Sequence, residues 1–489
     1  MPKDMRTDTP LQPTEEKLIE TDICVIGGGS GGLSVAAGAV QMGTSVVLFE
    51  RGRMGGDCLN YGCVPSKALL AAGHAAAAAR KADRFGISLP EPDVDFARVH
   101  AHVRDVIAGI EPHDSVERFE KLGVKVIQAA ATFTDTRTVT GGGYRVRARR
   151  FVIATGSSAA IPPVEGLKDT PYLTNETIFD LTERPAHLLI IGGGPIGCEL
   201  AEAHRNLGSE VTLVEAAGLL GNEDPEAAAL IRAHLEKIGV TVLDGALVRQ
   251  ASGSGGGVTL SVETGGAIQR IEGSHLLVAA GRRANTDGLG LEAAGIETSR
   301  TGIEVDAGLK TSNRRVYAIG DVAGGLQFTH VAGYHASVVI RSALFRLPAK
   351  ADLSAVPRVT YTDPELAQVG LLEEEARAKH GEKLRVLRWT YQENDRARAE
   401  RATEGFIKVI ALKNGRVLGA TIVGRNAGEL IQSWGLAIGQ KIKIGAIASS
   451  IVAYPTLAEI GKRAAGSFFT ETLFSPRMRK IVRFLAAFG

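Results

Sequence analysis

Thr21-Asp-Ile-Cys-Val-Ile-Gly-Gly-Gly-Ser-Gly-Gly32 is an apolar run that ends in a glycine turn, and Ser45-Val-Val-Leu-Phe-Glu50 follows it. Gly27, Gly29 and Gly32 satisfy G-x-G-x-x-G directly after a predicted strand, and Glu50 closes the next strand. The glycines of such a turn let backbone approach a pyrophosphate, the helix start offers unpaired N–H groups, and the acid accepts from a ribose hydroxyl. The pattern recurs. His187-Leu-Leu-Ile-Ile-Gly-Gly-Gly-Pro-Ile-Gly197 leads to Val211-Thr-Leu-Val-Glu215, so Gly192, Gly194, Gly197 and Glu215 repeat the first set. Strand, glycine turn, helix, strand and acid twice over predict two dinucleotide sites in an α/β protein. A glutamate at the strand end favours a free 2′-hydroxyl, and residues 216–224 contain no arginine, so NADH is expected at the second site, with NADPH the alternative.

Bulk properties narrow the function classes. At 489 residues the chain exceeds one ordinary core, which points to several domains. With 56 Lys and Arg against 54 Asp and Glu, the net charge of +2 argues against nucleic acid as the main partner. Residues 1–20 are polar and carry three prolines, without the apolar core of a signal peptide, and read as a flexible tail. No apolar run of about 18 residues occurs, so no membrane span is expected and a cytoplasmic location is anticipated. Only Cys24, Cys58, Cys63 and Cys198 are present, and in a reducing compartment a disulfide among them would serve chemistry rather than structure.

Between and after the two fingerprints the pattern is mixed. An alanine-rich helix is expected over 68–80, short strands over 124–128 and 144–149, and a hairpin turn at glycines 141–143. Strands over 258–262 and 267–271 flank Gly265-Gly266, and an apolar strand over 276–280 ends at Gly281. Beyond about Pro348 the pattern becomes that of a separate α+β domain, with strands beginning near Gly405 and Gly419.

Gly55-Gly-Asp-Cys58-Leu-Asn-Tyr-Gly-Cys63-Val-Pro-Ser-Lys67 carries the chemistry. Two cysteines separated by four residues resemble a zinc half-site, but no second pair completes tetrahedral thiolate ligation. Unrelated buried thiols are the other bland reading. Their place just after a ribose-binding acid and beside Lys67 argues against it.

This segment, from Gly55 to Lys67, closely resembles the redox-active site of the class I pyridine nucleotide-disulfide oxidoreductases, the group that includes dihydrolipoamide dehydrogenase, glutathione reductase and mercuric reductase. Ala154-Thr155-Gly156, Ala279-Ala-Gly281-Arg-Arg-Ala-Asn285 and Val316-Tyr-Ala-Ile-Gly-Asp321 match as well, and the likeness runs over about residues 20–470. The resemblance implies two Rossmann-like domains, an NAD domain inserted in an FAD domain, and a C-terminal α+β dimerisation domain. The corresponding limits are 21–160 with 286–350 for FAD, 161–285 for NAD(P), 351–475 for the homodimer interface and 476–489 for a basic amphipathic tail.

It also implies roles. FAD would be held by Gly27, Gly29, Gly32, Glu50, Gly56, Lys67, Thr155, Gly156 and Asp321, and NADH by Gly192, Gly194, Gly197, Glu215 and Gly281. Cys63 would lie against the flavin and Cys58 would be the outer thiol that meets substrate. A helix start and a neighbouring flavin would both lower the pKa of the inner thiol. Lys67 would sit near the flavin N5, paired with Glu199. His330, at an expected helix start, reads first as a capping or packing residue and second, by position, as a neighbour of the flavin.

One position departs from the family pattern. Disulfide-processing members carry a C-terminal His-Pro-Thr with a glutamate five residues after the histidine; the imidazole, from the other subunit, exchanges a proton with the outer thiol. Here the stretch is Tyr454-Pro-Thr-Leu-Ala-Glu459, and the last histidine is His380. A phenol titrates about three and a half units above an imidazole, so at neutral pH it donates a proton but accepts poorly. Reduction of a disulfide or other thiophilic acceptor is therefore expected over dihydrolipoamide oxidation, with Glu459 orienting Tyr454. No cysteine follows Cys198, so a metal acceptor would have to use Cys58 and Cys63. Direct reduction of a quinone, oxygen or metal ion by the flavin, and a flavin-based sensing subunit, are the alternative functions. The tail after Pro476 is expected to dock on the protein's own surface, with peripheral membrane contact as the other possibility.

Overall fold

The computed structural model describes residues 16–254 and 256–488, and the chain divides into two compact units. One takes residues 16–60 together with 107–158 and 282–351. The other takes 61–106, the described residues of 159–281, and 352–488.

The first unit is built on β1 (Lys17–Ile26), α1 (Ser30–Gln41), β2 (Val46–Phe49) and the short helix α2 (Gly56–Asn60). β1 pairs in parallel with β2 on one side and with Tyr144–Ile153 on the other; Val316–Ala318 also pairs in parallel with the latter strand. Cys24, Val25, Val46 and Leu48 are all buried, as expected where a parallel sheet is covered on both faces. Gly141–Tyr144 closes an antiparallel hairpin with Gly142 and Gly143 at positive φ, the turn anticipated at 141–143. β1 begins earlier than the tail reading allowed. Lys17 to Glu20 pair in register with Tyr144 to Arg147, so these residues extend the sheet, while residues 1–15 lie outside the described part of the chain.

The second unit opens with α3 (Cys63–Arg80), which starts five residues before the alanine-rich run and so places Cys63 at a helix N-terminus. β3 (His187–Ile191), α4 (Pro195–Asn206), β4 (Glu210–Glu215) and α5 (Pro225–Lys237) repeat the order of the first fingerprint. Their four-stranded parallel sheet runs Val240–Asp244, β4, β3, His275–Val278. A three-stranded antiparallel sheet over Ala246–Ser254, Gly257–Thr264 and Ala267–Gly273 turns at Gly265 and Gly266, both at positive φ. The C-terminal part is a five-stranded antiparallel sheet in the order Pro357–Thr360, Glu365–Gly370, Val417–Gly424, Phe406–Leu412, Leu384–Thr390, packed around Trp434 and Tyr391. The last helix, α6 (Pro476–Leu485), has no buried residue, which corrects the expectation that the tail docks on the chain's own surface.

Candidate functional site

The two glycine turns have the same construction. Gly27 and Gly192 take φ of 109° and 113°, and a Cβ on either would lie 2.3 or 2.4 Å from the carbonyl oxygen of Ala154 or Ala279. A Cβ on Gly32 or Gly197 would meet the carbonyl oxygen of Gly27 or Gly192 at 1.9 Å, so only glycine lets the helix pack on its strand. The two acids are held alike. Glu50 accepts from the N–H of Gly28 and Gly52, each at 2.6 Å, and Glu215 accepts from Gly193 at 2.6 Å and Ala217 at 2.7 Å.

Both helix starts are suited to a diphosphate. α1 and α4 begin at Gly29 and Gly194 with no side-chain cap and no acid in the first turn, so their leading N–H groups keep no side-chain acceptor of their own. A Cβ on Gly194 would meet nothing within 4 Å. Gly56 packs its Cα against Gly29, where a Cβ would come within 2.7 Å, which ties the start of the cysteine segment to the first turn.

Further along the first unit three sequence matches converge. Thr155 donates its hydroxyl to the Asn285 carbonyl at 2.7 Å, and the Asn285 amide returns a bond to the Thr155 carbonyl at 3.0 Å. Ser157 donates to Asp321 at 2.6 Å while accepting from Arg282 Nε at 2.7 Å. Arg282 also lies 3.2 Å from Asp57, the residue before Cys58. Burial pushes the Asp321 carboxyl up; the Ser157 bond and the Arg282 charge oppose the rise, and Asp57 adds to it. Arg282 and Asp57 were not singled out by sequence, because their pairing joins segments more than two hundred residues apart.

Burial sorts the four cysteines. Cys24 and Cys198 are buried and their thiols are pushed far up by desolvation, which leaves them inert, whereas Cys58 is half-buried in α2 and Cys63 is exposed. The loop between the pair is pinned at Tyr61, whose carbonyl accepts from Asn175 at 3.3 Å. One turn into α3, Lys67 forms an ion pair with Glu199 of α4 at 2.7 Å, the pairing anticipated from sequence. Glu199 also accepts from the Tyr361 N–H at 3.0 Å, and the Lys67 ammonium lies 4.4 Å from the Tyr361 ring centroid. Burial pushes the Tyr361 phenol up, with the charges of Glu199, Glu365 and Cys63 adding to it.

A second rung follows. His74 of α3 lies 3.2 Å from Glu202 of α4, both carboxylate oxygens of Glu202 accept from the Asp363 N–H at 3.1 Å, and His234 of α5 approaches to 3.7 Å. Gly73 allows the approach, since a Cβ there would meet the Ala203 carbonyl at 3.2 Å. Burial opposes ionisation of Glu202, but His234 and His74 outweigh it and bring its pKa to about 2.

Residues 21–336 match the family described as pyridine nucleotide-disulphide oxidoreductase, and residues 356–465 match that family's dimerisation domain. The chain belongs to this family. A mercuric reductase from Streptomyces lividans is 36% identical over 459 residues, covering 92% of this chain and 96% of the relative. A dihydrolipoyl dehydrogenase from Geobacillus stearothermophilus is 38% identical over 458 residues, with 91% and 96% covered. Among solved structures, the Cu(II) complex of the HOCl-induced flavoprotein disulfide reductase RclA from Escherichia coli superposes with a TM-score of 0.81 at 28% identity, over 90% of this chain and 99% of that one. The protein is thus an FAD- and NAD(H)-dependent oxidoreductase that acts through a cysteine pair on a disulfide or other thiophilic acceptor, with two Rossmann-like domains and a C-terminal domain through which it forms a homodimer.

Tyr454 differs from the sequence expectation in the acid that holds it, whereas His330 meets the packing half of its own expectation. Tyr454 is 69% exposed and its phenol donates to Asp395 at 3.1 Å, so Asp395, not Glu459, is the group that orients it. The Asp395 hydrogen bond and charge push the phenol up, with a smaller contribution from the charge of Glu459, which stands at the first position of its own helix Glu459–Ser467. His330 is the second residue of the helix Thr329–Ala343, whose N-cap is Phe328; its ring stacks on Phe328 at 5.2 Å, which is packing rather than capping.

Substitution of Glu215 tests the nucleotide end. Glu215→Ala is expected to raise KM for NADH by roughly tenfold or more while leaving flavin content unchanged, the effect of removing a charge-assisted acceptor from the ribose that the second fingerprint is expected to bind. Steady-state kinetics with NADH and NADPH measure it. A KM for NADH that stays within about twofold would show that this acid does not read the ribose.

Proposed function

We propose that Cys58 and Cys63 form the redox-active disulfide of a cytoplasmic NADH-driven reductase whose acceptor is a disulfide or a thiophilic metal ion. The observation that carries this is the burial pattern: of four cysteines only these two are accessible, and Cys63 opens α3 one turn before the Lys67–Glu199 ion pair. FAD would lie on the first fingerprint, held by the α1 start, Glu50, Gly56, Thr155, Gly156 and Asp321, with Lys67 beside it and His330 at its edge. NADH would lie on Gly192, Gly194, Gly197, Glu215 and Gly281. FAD, when bound, supplies hydride acceptance from NADH and delivery of the electron pair to the disulfide. The domain limits follow the same proposal, with the first strand starting at Lys17: 17–160 with 286–350, 161–285, and 351–475.

With the pair reduced, the Cys58 thiolate attacks one sulfur of an acceptor disulfide and expels the other as a thiolate, leaving a mixed disulfide. The Cys63 thiolate then attacks Cys58, expels the second acceptor thiolate and restores the Cys58–Cys63 bond. Two electrons pass to the acceptor, and its two thiolates take up protons. A thiophilic cation would instead be ligated by the two thiolates. The Cu(II) complex of RclA and the likeness to a mercuric reductase support this acceptor class, while the equal likeness to a dihydrolipoyl dehydrogenase leaves the choice to the proton-transfer residue.

That residue is Tyr454. With its pKa pushed up, the phenol stays protonated at neutral pH and serves a leaving thiolate as an acid, which favours acceptor reduction over dithiol oxidation. Acceptor profiling with Tyr454→His tests the reading. Dihydrolipoamide oxidation is expected to rise about a hundredfold in the variant while NADH-driven acceptor reduction changes far less. An unchanged oxidation rate would remove the phenol as the limiting group. The proposal also includes peripheral membrane contact through the basic C-terminal helix.

A further inference from the structure

We infer that α6 (Pro476–Leu485) is an in-plane anchor for an anionic bilayer surface, which specifies the partner in the membrane-contact reading and stands apart from the redox chemistry. The helix is set up locally: Pro476 opens it, and the Ser475 hydroxyl accepts from the Met478 N–H at 3.2 Å. Met478, Ile481, Val482 and Leu485 recur at i, i+3, i+4 and i+7 and so share one face, flanked by Phe484 and Phe488, whose rings meet edge to face at 5.0 Å. Arg479, Lys480 and Arg483 take the opposite face, and Arg477 lies on the rim.

Among the described residues most of this apolar arc is uncovered, with only Met478 half-buried. Leu485 is 60% exposed, Phe484 64% and Phe488 75%. The segment follows the matched dimerisation domain, which ends at residue 465, and no acidic residue occurs after Glu471. This charge pattern selects the occupant. A second copy packed on the apolar arc would leave the four cations without a partner, whereas lipid phosphates complement them while the acyl boundary accepts the arc. Ten residues rise only about 15 Å, so the helix lies on a bilayer rather than crossing it. No described helix is long and apolar enough to cross a membrane.

The experiment is co-sedimentation of the FAD-loaded enzyme with phosphatidylcholine vesicles, with and without phosphatidylglycerol. The enzyme is expected to pellet with the anionic vesicles and to remain in solution with the neutral ones. Ile481→Glu with Leu485→Glu, and separately Arg479→Glu with Lys480→Glu, are each expected to weaken binding at least about tenfold, with added salt acting in the same direction on the parent enzyme. NADH-driven turnover in solution stays unchanged in both pairs, which keeps loss of binding distinct from loss of fold and from failure of the reductase proposal. No difference between neutral and anionic vesicles, or binding that survives both pairs, overturns the inference. So does a change of oligomeric state in sedimentation velocity on substitution of Ile481 and Leu485, which would assign the face to a second copy.

Discussion

Cys63→Ser is expected to cut NADH-driven reduction of disulfide acceptors by roughly a thousandfold or more. A hydroxyl can neither close a disulfide with Cys58 nor attack a Cys58 mixed disulfide, so both the storage of the electron pair and the second exchange step are lost. Cys24 and Cys198 cannot substitute, since both are buried with their thiols pushed far up. Anaerobic NADH titration measures the first loss directly: the variant should take up half the electrons per flavin of the parent. Cys58→Ser should lose acceptor reduction as fully while its inner thiol persists. Full turnover of Cys58→Ser with a quinone or oxygen, together with failure on disulfides, would instead assign the acceptor to the flavin itself.

Glu202→Leu is expected to destabilise the holoenzyme by about 3–5 kcal/mol, the range for removing one partner of a buried ion pair. Glu202 is 1% exposed, and its loss would leave His74, His234 and the Asp363 N–H facing an apolar side chain. The pH dependence follows from the direction of each shift. Glu202 is lowered from 4.5 to about 2, so its stabilisation is fully present above pH 4.5 and is lost as pH falls toward 2; a shift of this size corresponds to about 3 kcal/mol. His74 moves the other way. It is raised from 6.5, with burial opposing and the Glu202 hydrogen bond and charge prevailing, so its contribution is full below 6.5 and lost as pH rises through the folded value. The gap in unfolding free energy between parent and variant should therefore be widest between about pH 4.5 and 6.5 and close on acidification, as read from denaturant midpoints across pH. A gap under about 1 kcal/mol, or one that widens toward acid, would show that the cluster is not holding α3 to α4.

The cofactor end of the protein was legible from local sequence. Each fingerprint packs its turn, helix start and acid within about thirty residues, and the contacts that fix them, such as Glu50 with Gly28 and Glu215 with Gly193, span 22 residues each. The substrate end was only partly legible. Tyr454 and Glu459 are five residues apart in sequence, and the spacing pointed to Glu459 as the orienting acid. Asp395, 59 residues upstream, makes the bond instead. Likewise Lys67 was expected near Glu199, but nothing local announced the neighbouring rung of His74, Glu202 and His234, which draws on three helices.

By itself the sequence determined that two nucleotide-binding turns and a close cysteine pair exist, because strand period, glycine spacing and the Cys58-to-Cys63 interval are written in contiguous residues. Tertiary structure alone decided which thiols are accessible, which acid holds Tyr454, how deeply Glu202 is buried, and that α6 leaves most of its apolar face uncovered. Those properties depend on desolvation and on contacts between distant segments, and no window of sequence contains either.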